Sequence, residues 1–130
     1  YGGILLVLII SSVTVYMVYN NKIKESAKQS LLAAEKMTEL VPNTTDAATE
    51  KHVPVVAVEG SKVTVQVGSV AHPMTEEHYI QWICLVTSKG IQRVNLSSTD
   101  KPEAVFYIGE EKPVAVYEYC NLHGLWKKEL

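Results

Sequence analysis

The sequence predicts a mainly β fold, an antiparallel sandwich or barrel, preceded by one long amino-terminal α-helix. Three observations carry this. Residues 2–19 hold no charged side chain. Apolar residues then recur at spacings of three and four as far as residue 41, which is the period of a helix. After residue 50 the period drops to two, in short β-branched or aromatic segments separated by Gly, Ser, Pro and Asp. A chain of 130 residues with a net charge of −2 has room for one core of ordinary size. It has no basic excess of the kind nucleic acid requires, so no nucleic-acid partner is expected.

The uncharged run is just long enough to cross ~30 Å of hydrocarbon at ~1.5 Å per residue. Its β-branched residues are poor helix formers in water, but a single segment in lipid can satisfy its backbone only as a helix. Tyr16 and Tyr19 suit a membrane interface. The run is not a typical signal peptide, since it lacks a basic flank and an A-x-A-like site. It continues into an amphipathic stretch, with Ile23, Ala27, Leu31, Ala34, Met37 and Val41 on one stripe and Lys24, Lys28, Glu35, Lys36 and Glu39 between them. One helix is expected over residues 2–41, stopped by Pro42 and Asn43. The layout fits a membrane anchor with a stalk. It also resembles the stem of a type IV pilin-like subunit, although Leu5 stands where many bacterial pilins carry Glu. A helix buried in an ordinary oligomer is the third reading. The expectation is therefore a membrane-anchored protein or an extracellular filament, held by membrane contact or self-assembly, with the β domain outside the cytoplasm.

Residues 42–50, small, polar and proline-led, read as a linker. The β domain is expected over 51–130. Its segments are VPVVAVEG, SKVTVQVGSV, HYIQWICLVTSKG, IQRVNLSS, EAVFYIGEE and KPVAVYEYC, for six or seven strands in all. Glu59-Gly60 and Lys89-Gly90 read as hairpin turns. Val63, Val65 and Val67 alternate with Lys62, Thr64 and Gln66, as in a sheet with one wet face.

All four histidines fall in this domain, in three clusters at strand ends or loops, where ligands from different parts of a sheet can converge. The clusters are Glu50-Lys51-His52-Val53-Pro54, His72 to Trp82 (HPMTEEHYIQW), and Cys120-Asn121-Leu122-His123-Gly124-Leu125-Trp126-Lys127. Each is weak alone, though C-x-x-H can turn both side chains toward one ion. Together His52, His72, His78, His123 and Cys120 make five donors, one more than the tetrahedron of structural zinc. Mixed nitrogen and sulfur donors suit iron with a sixth position open; zinc is the alternative on ligand chemistry. Two cysteines are too few for a disulfide framework or a four-thiolate site.

These three clusters resemble the signature of the superoxide reductase family, which includes desulfoferrodoxin and neelaredoxin. The likeness runs from about Met37 to Lys127. It implies an immunoglobulin-like sandwich and one mononuclear iron (Fe2+/Fe3+), with His52, His72, His78 and His123 equatorial and Cys120 axial. The implied reaction is reduction of superoxide to hydrogen peroxide. In it Lys51 attracts the anion and stabilises the developing peroxide, and Glu50 takes the vacant position of the ferric ion. Backbone amides of Leu122 and His123 would tune the sulfur. Desulfoferrodoxins carry a further four-cysteine iron domain before the linker; here that place holds Leu32 to Met37 without cysteine. No second, four-thiolate iron centre is expected, and an external electron donor such as a rubredoxin-like protein is. Cys84 has no ligand role in the pattern and is expected as a small core residue.

Overall fold

The computed structural model describes residues 2–34 and 40–130, with side chains described at 14–30 and 40–130. Two compact units result, residues 1–39 and 40–130. The first holds helix α1, Gly2–Ala34. The helix was expected to reach residue 41. Residues 35–39 lie outside the described residues, and Leu40 and Val41 are already non-helical. Pro42 disfavours helical backbone in the residue before it, and Asn43, at φ 60, turns the chain. Of the expected apolar stripe, Ile23 and Ala27 are exposed, while the side chains of Leu31, Ala34 and Met37 lie outside the described ones.

The expectation of a membrane-anchored or filament-borne protein is corrected here. Among the described residues, no helix is long and apolar enough to cross a membrane. From Thr14 onward the described side chains alternate apolar groups with tyrosines, and Asn20, Asn21, Lys22 and Lys24 then follow within five positions. Polar amides and ammonium groups of that density end any apolar stretch at Tyr19. The first part of the uncharged run, residues 2–13, is described only in its backbone.

The second unit is the mainly β, antiparallel body the sequence predicts. A short helix α2, Thr49–His52, leads into β1 (Pro54–Glu59), β2 (Lys62–Val67), β3 (Ile80–Thr87), β4 (Ile91–Asn95), β5 (Glu103–Tyr107), β6 (Pro113–Cys120) and β7 (Gly124–Glu129). The strands form a three-stranded sheet, β1-β2-β5, and a four-stranded sheet, β4-β3-β6-β7. Both hairpins fall where the sequence placed them: Glu59 pairs with Lys62, and the Thr87 N–H donates to the Gly90 carbonyl at 2.8 Å. The period-two pattern decides the faces. Val63, Val65 and Val67 of β2, with Ala104 and Phe106 of β5, meet Ile83 and Leu85 of β3 and Val116 and Cys120 of β6 in one core. Burying a side chain of this size contributes roughly 1.5–3 kcal/mol.

Two details depart from the sequence reading. Cys84 is half-buried and lies between Arg93 and Tyr117 in the sheet register. Its neighbours Ile83 and Leu85 are fully buried, so strand alternation turns Cys84 to the outer face rather than the core. The segment expected as a linker docks along β7. The Asn43 N–H donates to the Leu125 carbonyl at 3.0 Å, and its side-chain amide exchanges bonds of 3.1 and 2.8 Å with the Lys127 backbone. That mimics one more rung of a ladder on an edge strand.

Candidate metal centre

The strand register brings one end of the sandwich together. Pro54 at the start of β1 faces Val67 at the end of β2. Ile80 at the start of β3 faces Cys120 at the end of β6, which in turn faces Gly124 at the start of β7. Every chemistry-bearing cluster read from the sequence lies at that end. His52 closes α2, His72 follows β2, His78 precedes β3, and His123 sits in the β6–β7 turn. Gly124, at φ 76, takes the left-handed conformation that lets a three-residue turn return the chain beside Cys120.

The structure gathers all five expected donors. The ligand-capable atoms of His52, His72, His78, Cys120 and His123 all lie within 4.8 Å of one another. Their rings make a slightly compressed square. Its edges are His52–His72 at 4.8 Å, His72–His78 at 4.5 Å, and His78–His123 and His52–His123 at 4.9 Å, while the His52–His78 diagonal is 6.4 Å. Adjacent rings are nearly perpendicular, at 77° to 84°. Cys120 Sγ lies 3.9 Å from His123 Nδ1, against the core side where Cys120 is fully buried.

Backbone carbonyls fix the tautomers. The His52 Nδ1–H donates to the Ala48 carbonyl at 2.7 Å, and the His72 Nδ1–H to the Pro73 carbonyl at 2.6 Å. Each ring therefore presents its bare Nε2 inward, the usual outer-shell device of a metal-binding histidine. His72 Nε2 and His78 Nε2 are buried and have no hydrogen-bond partner among the described residues. Such orphans are costly unless something else satisfies them, and a metal ion does. His52 Nε2 approaches His123 Nδ1 at 3.0 Å, close enough for both to bind one ion.

The electrostatics agree. Burial pushes His72 down to about 4. Burial also holds His52 below the usual histidine range, partly offset by its bond to Ala48. His78 is held down by burial and by the crowding of further cationic groups, Lys51 among them. Neutral imidazoles are the form that binds metal. Burial raises the Cys120 thiol, and the backbone N–H groups of His123 and Leu122 pull it back. A cation in the square would favour the thiolate.

The Desulfoferrodoxin family model matches residues 44–129. The chain belongs to the desulfoferrodoxin family. A desulfoferrodoxin of Syntrophotalea carbinolica is 50% identical over 103 residues, covering 79% of this chain and 81% of that protein. A superoxide reductase of Pyrococcus abyssi is 39% identical, covering 62% and 86%. Among solved structures, the superoxide reductase of Treponema pallidum matches with a TM-score of 0.67 at 52% identity, covering 69% of this chain and 75% of that one. The mainly antiparallel β fold of the second unit is thus shared with the family, and the five gathered donors fit its mononuclear iron centre.

Glu50 and Lys51 directly precede His52 on α2, and both are exposed. The Lys51 charge reaches His52 and His78. Three supporting residues escaped the sequence reading. Asn121 ties two donor loops together: its Oδ1 accepts the Tyr79 N–H at 2.9 Å and its Nδ2 donates to the Glu77 carbonyl at 3.0 Å. Trp126 stacks on His52 at 4.8 Å and donates its Nε1–H to the His123 carbonyl at 3.1 Å. Glu118 is fully buried, with neither carboxylate oxygen hydrogen-bonded among the described residues, and burial pushes it up to about 9. Its inward parity with Val116 and Cys120 was visible in KPVAVYEYC. The partners of Asn121 and Trp126 were not, since they come from distant loops.

Proposed function

We propose that this protein is a superoxide reductase, taking superoxide with one electron and two protons to hydrogen peroxide. The observation that carries the reading is the square of four imidazoles with the Cys120 sulfur beside it. Relatives named as superoxide reductases support it. Bound to His52, His72, His78, His123 and Cys120, iron would supply a one-electron couple and an open coordination position. Its Glu50 neighbour would serve as a sixth ligand in the oxidised state. The chain's own part is to hold those donors in register and to prepare the approach of an anion. Carbonyls of Ala48 and Pro73 keep two imidazoles aimed inward, and burial keeps them neutral. The exposed Lys51 ammonium draws in superoxide and offsets charge developing on the reduced oxygen. The electron would come from an external donor such as a rubredoxin-like protein. Purified protein loaded with ferrous iron should bind one ion per chain and consume superoxide catalytically with a reductant. A site that takes only zinc, or that stays inactive after iron loading, would overturn the reading.

A further inference from the structure

Gly68, just beyond β2, has no place in the donor set, yet it occupies the tightest backbone contact among the described glycines. A Cβ built there would lie 2.5 Å from the Glu50 carbonyl oxygen and 2.9 Å from the Lys51 carbonyl carbon. Both are main-chain atoms, which cannot swing aside as a side chain does. The same carbonyl of Glu50 accepts the Val70 N–H at 3.0 Å and the Ser69 hydroxyl at 3.2 Å. The loop carrying these donors is anchored at both ends. The Val67 N–H donates to the Pro102 carbonyl, and the His72 N–H donates to the Val67 carbonyl, each at 2.8 Å. On the other side α2 has little freedom, because His52 is buried, stacked on Trp126 and bonded to Ala48.

We propose that Gly68, with Ser69 and Val70, is a positioning clamp that seats the Glu50–Lys51 peptide against the loop bearing His72 and so sets where the Lys51 charge stands over the donor square. The inference rests on the proposed role of Lys51 and deepens it. A side chain at 68 must shift something. The His52 and His72 rings are held by their own carbonyl partners, so the shift falls on the Glu50–Lys51 peptide that meets the added Cβ. Metal binding should then survive while anion attraction falls.

The test is a double-mutant cycle of Gly68→Ala with Lys51→Ala on the iron-loaded full chain. The readouts are iron per chain, the rate with superoxide and its ionic-strength dependence, and the affinity for azide as an anion probe that needs no turnover. Gly68→Ala is expected to keep one iron per chain, to weaken azide binding and superoxide reduction roughly tenfold, and to flatten the salt dependence. Lys51→Ala should then cost much less in the Gly68→Ala background than in the native one. Equal costs in both backgrounds, or a rate loss that only tracks lost iron, would overturn the clamp. If Gly68→Ala does not fold, Ser69→Ala decides: it removes one donor to Glu50 without adding volume. A two- to threefold loss in azide affinity that vanishes in the Lys51→Ala background supports the clamp, and an unchanged or additive effect overturns it. A native protein that binds azide in this Gly68-dependent way yet reduces no superoxide would refute the proposed function and leave the clamp standing.

Discussion

Lys51 is the cation next to His52 in a donor set of neutral imidazoles. His52, His72 and His78 are all held below the usual histidine range, so in the proposed reaction the positive charge would come from the exposed Lys51 ammonium. Lys51→Ala is expected to slow superoxide reduction about tenfold or more at low salt, with iron content unchanged. Stopped-flow rates alongside metal analysis check this. Asn121 acts differently, since its amide joins the loop of His78 to the turn of His123. Asn121→Ala should lower metal affinity by about 10–100-fold, the usual cost of losing an outer-shell partner. Competition with a chelator of known affinity measures it.

Elements matter here mostly through their ends. α2 is only four residues long and is held by what surrounds it. The bulge between Ile80 and Trp82 lets Ile80 stay in the core opposite Cys120 while the chain before it swings out to carry His78. β7 is an edge strand, covered by Asn43. Asn43→Ala removes two side-chain bonds to the Lys127 backbone, which is expected to cost about 1–2 kcal/mol. A lower urea midpoint with an unchanged slope would show it, and metal stoichiometry should not move.

The whole metal-free domain carries opposing proton linkages. His72 titrates near 4 when folded against ~6.5 unfolded. The unfolded chain therefore takes up more protons below pH 6.5, and stability falls as pH drops from there toward 4. Glu118 runs the other way. At about 9 when folded and ~4.5 unfolded, it keeps a proton the unfolded chain releases, so stability falls as pH rises from 4.5 toward 9. Glu118→Gln, similar in shape and always neutral, should abolish the alkaline loss and gain up to about 3 kcal/mol at pH 7. Urea melts of metal-free protein at pH 5 and pH 8 would separate the two. Binding adds stability by mass action: ferrous iron at a hundredfold excess over its dissociation constant should raise Tm by on the order of 10–20 °C, as anaerobic calorimetry can verify.

Much of this was written in the sequence. Alternation along KVTVQV assigns the inner face of β2, and the clusters around His52, His72–His78 and Cys120–His123 name the donors, because residue type and spacing alone limit what an ion can bind. The amino-terminal apolar run was a weaker guide, since hydropathy of a segment does not by itself say where the segment lies. Residue type points Cys84 to the core, whereas strand parity turns it to the outer face. What only the tertiary structure decided is how the parts meet: four rings in a square, Asn121 bridging two loops, Asn43 closing an edge, Gly68 pressed on the Glu50–Lys51 peptide. Residue type and period are local properties of the chain. Those contacts join positions far apart in the chain, and only strand pairing and the packing of one sheet on the other bring them within bonding distance.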